Sequence, residues 1–521
     1  MKAVHFVASH WHVFVLAAIL VLAAYLRLYK IADYMTFLGD EGRDVLVVKR
    51  MIVDHKLTLL GPTASVGGFF LGPIYYYFMA PFLWAWHMDP VGPAVMVAFF
   101  GIATVWLVYV LGKELFGVGS GLIASGLYAL SPIVIAYSRS SWNPNLVPFF
   151  TALLMYCLWR WTMTGRGRYL LLVGISLGIG LQLHYLYVFL FPVVLVWILL
   201  YGRSKKYLAH FALAGLGFLL GYAPFLAFEL RHGFPNTISI TRFIFAGKDT
   251  GLSADIFFKN ISDVAFRLFG RLVFRLPQEE IQHTLPTWQL TAWLVVIKTS
   301  IWASLGLLAG IVLGIFPLAQ KKLHLQKSAV LMLLWLVIPL VLFGLYRRGI
   351  YEYYFGIFFP VPFLLVGYLF SLLFTQKISK ILGAAGLTVL LYLNWQGRPF
   401  RFPPNRQLAG AKAIAAAALE KTDGKPFNFA LITGQNSDHV YRYFFEIWGN
   451  APVTIENDVI DPQRHTVTDQ LIVICEIADC KPLGNSLWEV AGFGRADITG
   501  KWEVPFVTIY RLVHYTGKGA K

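Results

Sequence analysis

The chain has 521 residues, 57% of them hydrophobic and 14% charged, with a formal net charge of +17. A soluble domain carries charge on roughly a quarter of its residues to cover its surface, so this composition excludes a soluble globular protein and implies a membrane one. The positive excess is no nucleic-acid footprint, because basic residues in membrane proteins collect on the cytoplasmic side and near anionic headgroups.

A bilayer core of about 30 Å takes roughly 20 apolar residues per helix. Runs of that kind predict eleven membrane helices, near residues 11–30, 92–111, 119–137, 145–163, 169–184, 187–202, 207–228, 289–318, 328–346, 356–375 and 379–395. The first run carries no small-x-small cleavage pattern and is expected to stay as a signal anchor. Short loops holding Lys113, Arg166, Arg168, Arg203, Lys205, Lys206, Lys321, Lys322, Lys327, Lys377 and Lys380 alternate with loops holding only Arg139, Arg347 and Arg348. The positive-inside bias puts the first set and the N-terminus in the cytoplasm. Arg27 and Lys30 run against it at the end of the first helix and are expected to snorkel to the headgroups.

This topology predicts a multi-pass protein of the inner (plasma) membrane with three large parts outside: 31–91, 229–288 and everything after about 396. The first loop carries amphipathic or aromatic stretches at 42–54 and 72–88. Treating 72–88 as spanning would invert every later loop, so it is placed along the membrane surface. In the second loop Ile256, Ile261, Val264, Leu268 and Leu272 recur at helical spacing. The tail reads as a separate α/β domain. Leu408–Lys421 has a helical pattern, and Phe427–Thr433, Gln470–Cys475 and Val504–Val513 look like strands. The reading is therefore a membrane domain over 1–395 and a soluble domain over 396–521. Cys157 falls in a membrane segment. Cys475 and Cys480 could pair in an extracytoplasmic domain, but two free thiols are the expectation.

Asp40–Glu41 stands just past the first helix and opens the helix-like run Gly42-Arg43-Asp44-Val45-Leu46-Val47-Val48. Acids in a first turn are stabilised by backbone amides and the helix dipole, which by itself explains them as caps. At a membrane surface beside aromatic helices, a partly desolvated carboxylate can also take a hydroxyl proton. Asp44 lies one turn on and is expected to pair with Arg43.

The segments Gly39-Asp40-Glu41-Gly42-Arg43-Asp44, Leu71-Gly72-Pro73-Ile74-Tyr75-Tyr76-Tyr77 and Tyr137-Ser138-Arg139-Ser140-Ser141-Trp142-Asn143-Pro144 together resemble GT-C fold membrane glycosyltransferases. The bacterial branch that includes protein O-mannosyltransferases and aminoarabinose–lipid A transferases fits best. In layout the resemblance covers residues 1–395, with its motifs mainly in the first 150. It implies a polytopic α-helical GT-C fold for that part, to which the topology above adds the C-terminal extracytoplasmic α/β domain. It also implies a polyprenyl-phosphate-linked sugar donor and an acceptor hydroxyl of unidentified glycan, lipid or protein origin. By the same analogy Asp40 is the general base, and Glu41 orients the acceptor or shares that role.

The lipid phosphate leaves as a stable anion, so cations and hydrogen bonds matter more than a protonating acid. Arg139 is one candidate cation, or else a headgroup-snorkelling arginine. Arg347 and Arg348 form the other, since an arginine pair is unexpected in an outer loop. Candidate substrate contacts are Tyr75, Trp142, Asn143, His184, Glu229 and Tyr353. His184 also fits a packing histidine, Glu229 an ion pair with Arg231, and Tyr353 an interfacial belt. No cofactor and no metal is expected from the ligand spacing, although a divalent ion is left open. The rival reading is a transporter or lipid flippase, but those place ionisable groups inside the membrane rather than in outer loops.

Overall fold

A computed structural model describes residues 2–246, 249–315 and 322–517. Apolar segments satisfy their own backbone only as helices or closed barrels in a bilayer, and here they are helices. From the N-terminus come α1 (Lys2–Leu28), α2 (Ile31–Tyr34), α3 (Gly39–Val53), α4 (Ile74–Ala85), α5 (Val91–Phe116), α6 (Val118–Leu130) and α7 (Pro132–Tyr137). Next are α8 (Val147–Thr164), α9 (Arg168–Leu183), α10 (Leu190–Tyr201), α11 (Tyr207–His232), α12 (Pro235–Phe245), α13 (Ala254–Gly270) and α14 (Glu279–Gln282). The series ends with α15 (Thr287–Val312), α16 (Lys322–Gly344), α17 (Pro360–Leu373), α18 (Lys377–Gln396), α19 (Gln407–Glu420), α20 (His439–Ile447) and α21 (Trp488–Phe493).

By length and composition, seven helices can cross a membrane, and the segments Val118–Leu130, Arg168–Leu183, Tyr185–Tyr201 and Pro360–Leu373 are shorter apolar helices. Each falls on one of the predicted runs. The 119–137 run is broken at Ser131, which is extended (φ −60°, ψ 120°) before Pro132. Proline disfavours the helical region in the residue before it and donates no N–H. Ser131 Oγ donates instead to the Leu272 carbonyl at 2.7 Å. The end of the 289–318 run and Lys321 lie outside the described residues.

The chain divides into two compact units. The first contains residues 1–29, 58–78 and 94–403, and so most of the apolar helices. Its closest helix contact is between α9 and α11. A Cβ at Gly174 would lie 1.9 Å from the Ala214 carbonyl oxygen, and one at Gly217 would lie 2.1 Å from that of Leu171. With Gly178 and Gly221 these form a small-residue seam of the kind that lets membrane helices meet backbone to backbone.

The second unit contains residues 30–57, 79–93 and 404–521. Two pieces of the first outer loop thus group with the tail. Here β1 (Asn428–Ile432), β2 (Gln470–Cys475), β3 (Ala496–Val504) and β4 (Val507–His514) form one sheet in the order β1-β2-β4-β3. The β1–β2 pair is parallel, and the other two pairs are antiparallel. Ala430, Ile432, Leu471, Val473 and Leu512 fill the core with Val490 and Phe493 of α21. Cys475 and Cys480 are joined as a disulfide, which corrects the expectation of two free thiols. The bond is possible because Cys480 follows the end of β2 by one short turn.

Candidate active site

The acidic motif begins α3. Leu38 is extended (φ −126°), and its backbone N–H donates to Glu41 Oε2 at 3.0 Å, the side-chain half of a capping box. Glu41 is thereby a buried cap, 6% exposed. Burial, reinforced by Asp40 and Asp44 nearby, pushes its carboxyl up to about 7 against the pull of the backbone donors. Asp44 is fully buried and accepts Arg43 Nε and Nη2 on one oxygen, at 2.9 and 2.8 Å. Arg43 Nη1 reaches Asp40 Oδ1 at 2.9 Å. Asp40 differs from its neighbours in keeping 53% of its side chain exposed. Of the three carboxylates, it alone reaches solvent while being held in direction by a neighbouring guanidinium.

The other side of α3 lies on α20. A Cβ at Gly39 would meet Ser437 Oγ at 2.5 Å, and one at Gly42 would meet the Val440 backbone nitrogen at 2.6 Å. The glycines flanking Asp40–Glu41 thus let two helix backbones touch. Further along, Arg50 of α3 pairs with Glu446 of α20. At the start of α20, Ser437 Oγ and His439 Nδ1 are 2.9 Å apart, and burial lowers the His439 pKa. Phe37 contributes its ring to Phe444 and its N–H to Gln407 Oε1.

In the first unit, five of the sequence candidates converge. Trp142 lies 4.5 Å from Tyr353, centroid to centroid, and His184 lies 5.9 Å from Tyr353. Asn143 Nδ2 donates to the Leu183 carbonyl beside His184, and the Tyr75 hydroxyl is 2.7 Å from Ser141 Oγ. His184 Nδ1 accepts the Leu186 N–H, which leaves Nε2 as the donor. Around them stand residues that no local motif marks. The Tyr185 and Tyr346 hydroxyls are 2.9 Å apart, and Ser65 and Tyr353 bring theirs up to Tyr354. Aromatic rings with clustered hydroxyls suit polyhydroxylated ligands.

The remaining candidates have other partners. Arg347 donates to the carbonyls of Gly251 and Leu252, and Arg348 pairs with Asp249 while 59% exposed. Arg139 is 1% exposed and donates to the carbonyls of Leu26 and Tyr29, so it closes the C-terminal end of α1. Glu229 does not pair with Arg231. Its two oxygens accept the N–H and side chain of both Asn236 and Thr237, and so tie down the N-terminus of α12. Among the described residues no group of three His, Cys, Asp or Glu is gathered as a metal site.

Seven helices long and apolar enough to cross a membrane define a multi-pass helical membrane protein, and the fold likenesses below place it with the GT-C fold. Residues 72–228 match the family model of dolichyl-phosphate-mannose-protein mannosyltransferases. That match takes in the Tyr75 and Arg139 segments and begins after Asp40. Among solved structures the chain is similar to ArnT from Cupriavidus metallidurans bound to undecaprenyl phosphate, with a TM-score of 0.61 at 11% identity, over 97% of this chain and 98% of that one. It is also similar to the oligosaccharyltransferase AglB from Archaeoglobus fulgidus in complex with an inhibitory peptide and a dolichol-phosphate. There the TM-score is 0.53 at 12% identity, over 99% of this chain and 75% of that one. No curated protein sequence matches.

Proposed function

We propose that this protein is a membrane glycosyltransferase, moving a hexosyl or pentosyl group from a polyprenyl-phosphate donor to an acceptor hydroxyl outside the cytoplasm. The observation that carries the catalytic assignment is the split among the three motif acids: Glu41 and Asp44 are buried, whereas Asp40 is exposed and oriented by Arg43. Asp40 removes the acceptor proton as the acceptor oxygen bonds to the anomeric carbon. The bond from that carbon to the phosphate oxygen breaks, and its electrons leave on the lipid phosphate. Arg347 and Arg348 are exposed and meet the need for cations at that phosphate. Arg139 and Glu229 serve structure in this reading, and Glu41 orients the motif from inside. The similarity to a structure bound to undecaprenyl phosphate supports the donor class.

The disulfide between Cys475 and Cys480 supports an extracytoplasmic tail, because such bonds persist in oxidising compartments. The loop charges support the same orientation.

The test uses purified protein with a polyprenyl-phosphate sugar. Asp40→Asn should bind donor normally and transfer about 10²-fold slower or less. Full transfer by Asp40→Asn would sink the base assignment, and passage of unaltered lipid across liposomes would favour a flippase.

A further inference from the structure

Within the second unit a cavity of about 530 Å³ opens between α2, the loop before α5, α19 and the C-terminal end of α20. Phe444 and Trp448 supply its aromatic wall, with Asp33, His87, Asp89 and Lys412 around it. Among the described residues, the side chains of Asp33, His87 and Lys412 have no hydrogen-bond or ion-pair partner. The loop is held in an unusual shape. His87 and Met88 both adopt positive φ (53° and 64°), and the Met88 carbonyl accepts the Tyr443 hydroxyl. Backbone strain of this kind persists where surrounding structure over-determines it, often at ligand clamps.

The lining narrows the class of ligand. A phosphate group would meet two carboxylates against one ammonium. An apolar chain would strand Asp33 and Lys412 away from water without partners. A sugar ring satisfies both walls: its C–H face lies on Trp448, and its hydroxyls donate to the carboxylates and accept from Lys412. We infer that this cavity binds an uncharged oligosaccharide, the part of the acceptor remote from the reacting hydroxyl. The inference rests on the transferase reading and deepens it.

Helix α20 sets the reach. Its first residues touch the Asp40 motif, and Trp448 follows its last turn. At about 1.5 Å per residue the span is roughly 13 Å, longer than one sugar ring. An acceptor held at Trp448 therefore presents a hydroxyl one or more sugars away, and remote binding energy positions the reacting end.

The experiment is intrinsic tryptophan fluorescence of the full-length protein in detergent, titrated with mannotriose, cellotriose and chitotriose in the absence of donor. At least one trisaccharide should bind saturably. Trp448→Ala and Lys412→Ala should each raise its Kd tenfold or more. Isothermal calorimetry reads the Trp448→Ala variant, whose own signal is altered. Absence of binding by all three sugars overturns the inference. So does wild-type affinity in both cavity variants, or competition by phosphatidylglycerol in mixed micelles. Because donor is absent, full transfer by Asp40→Asn would remove the base assignment while leaving this site standing.

Discussion

Glu41 and Asp40 are adjacent, yet burial separates their chemistry. With Glu41 pushed up to about 7 from an ordinary 4.5, the folded protein holds its proton longer than the unfolded chain does. Below pH 4.5 both states are protonated and the contribution is complete. As pH rises toward 7 the unfolded chain ionises first, and stability is lost. Glu41→Gln keeps an acceptor for the Leu38 N–H and removes the titration. It should match wild type in thermal melting near pH 4 and exceed it at pH 8, by roughly 2–3 kcal/mol at most. Arg348→Glu should raise the donor KM about tenfold or more with little change in kcat, because it alters a proposed binding contact on an exposed loop. The sequence showed three acids within five positions but not which of them faces water. That distinction comes from the contact with α20, made by residues nearly 400 positions away.

Among the elements, α3 and α20 carry the sharpest test. Gly42→Val would push a side chain into the Val440 backbone. We expect about 1–3 kcal/mol of destabilisation, read as a lower melting temperature together with lost transfer. Val47→Ala, on the same helix at a half-buried position, should leave transfer nearly intact. The apolar helices were legible because each is a long run bounded by charge or proline, as Lys113, Pro132 and Lys377 show. Helix α20 was not: it has nine residues, and its Tyr-Arg-Tyr-Phe-Phe segment reads equally as strand. Strand β3 was missed for the opposite reason. None of its residues Ala496–Val504 is fully buried, and Asp497, Thr499, Lys501 and Glu503 interrupt any apolar run. Its pairing with β4 supplies what its composition lacks.

For the molecule as a whole, orientation and chemistry give independent predictions. A cysteine placed at exposed Glu503 should react with a membrane-impermeant maleimide on intact cells, whereas one at Arg166 should react only after lysis. A chelator such as EDTA should leave transfer unchanged, because the leaving phosphate can be stabilised by arginines alone. The division into two units could not be read from the sequence. Composition separates the tail from the helices, but nothing in residues 30–57 announces that they fold with it. The ion pair between Arg50 and Glu446 has a consequence for biogenesis, since its partners are 396 positions apart. The acidic motif leaves the ribosome nearly 400 residues before the helix that seats it. A nascent or prematurely terminated chain can thus insert its membrane helices in the bilayer before the acidic motif is seated. On the transferase reading proposed above, synthesis of the tail would be the step that completes the site, and copies lacking it would stay inactive.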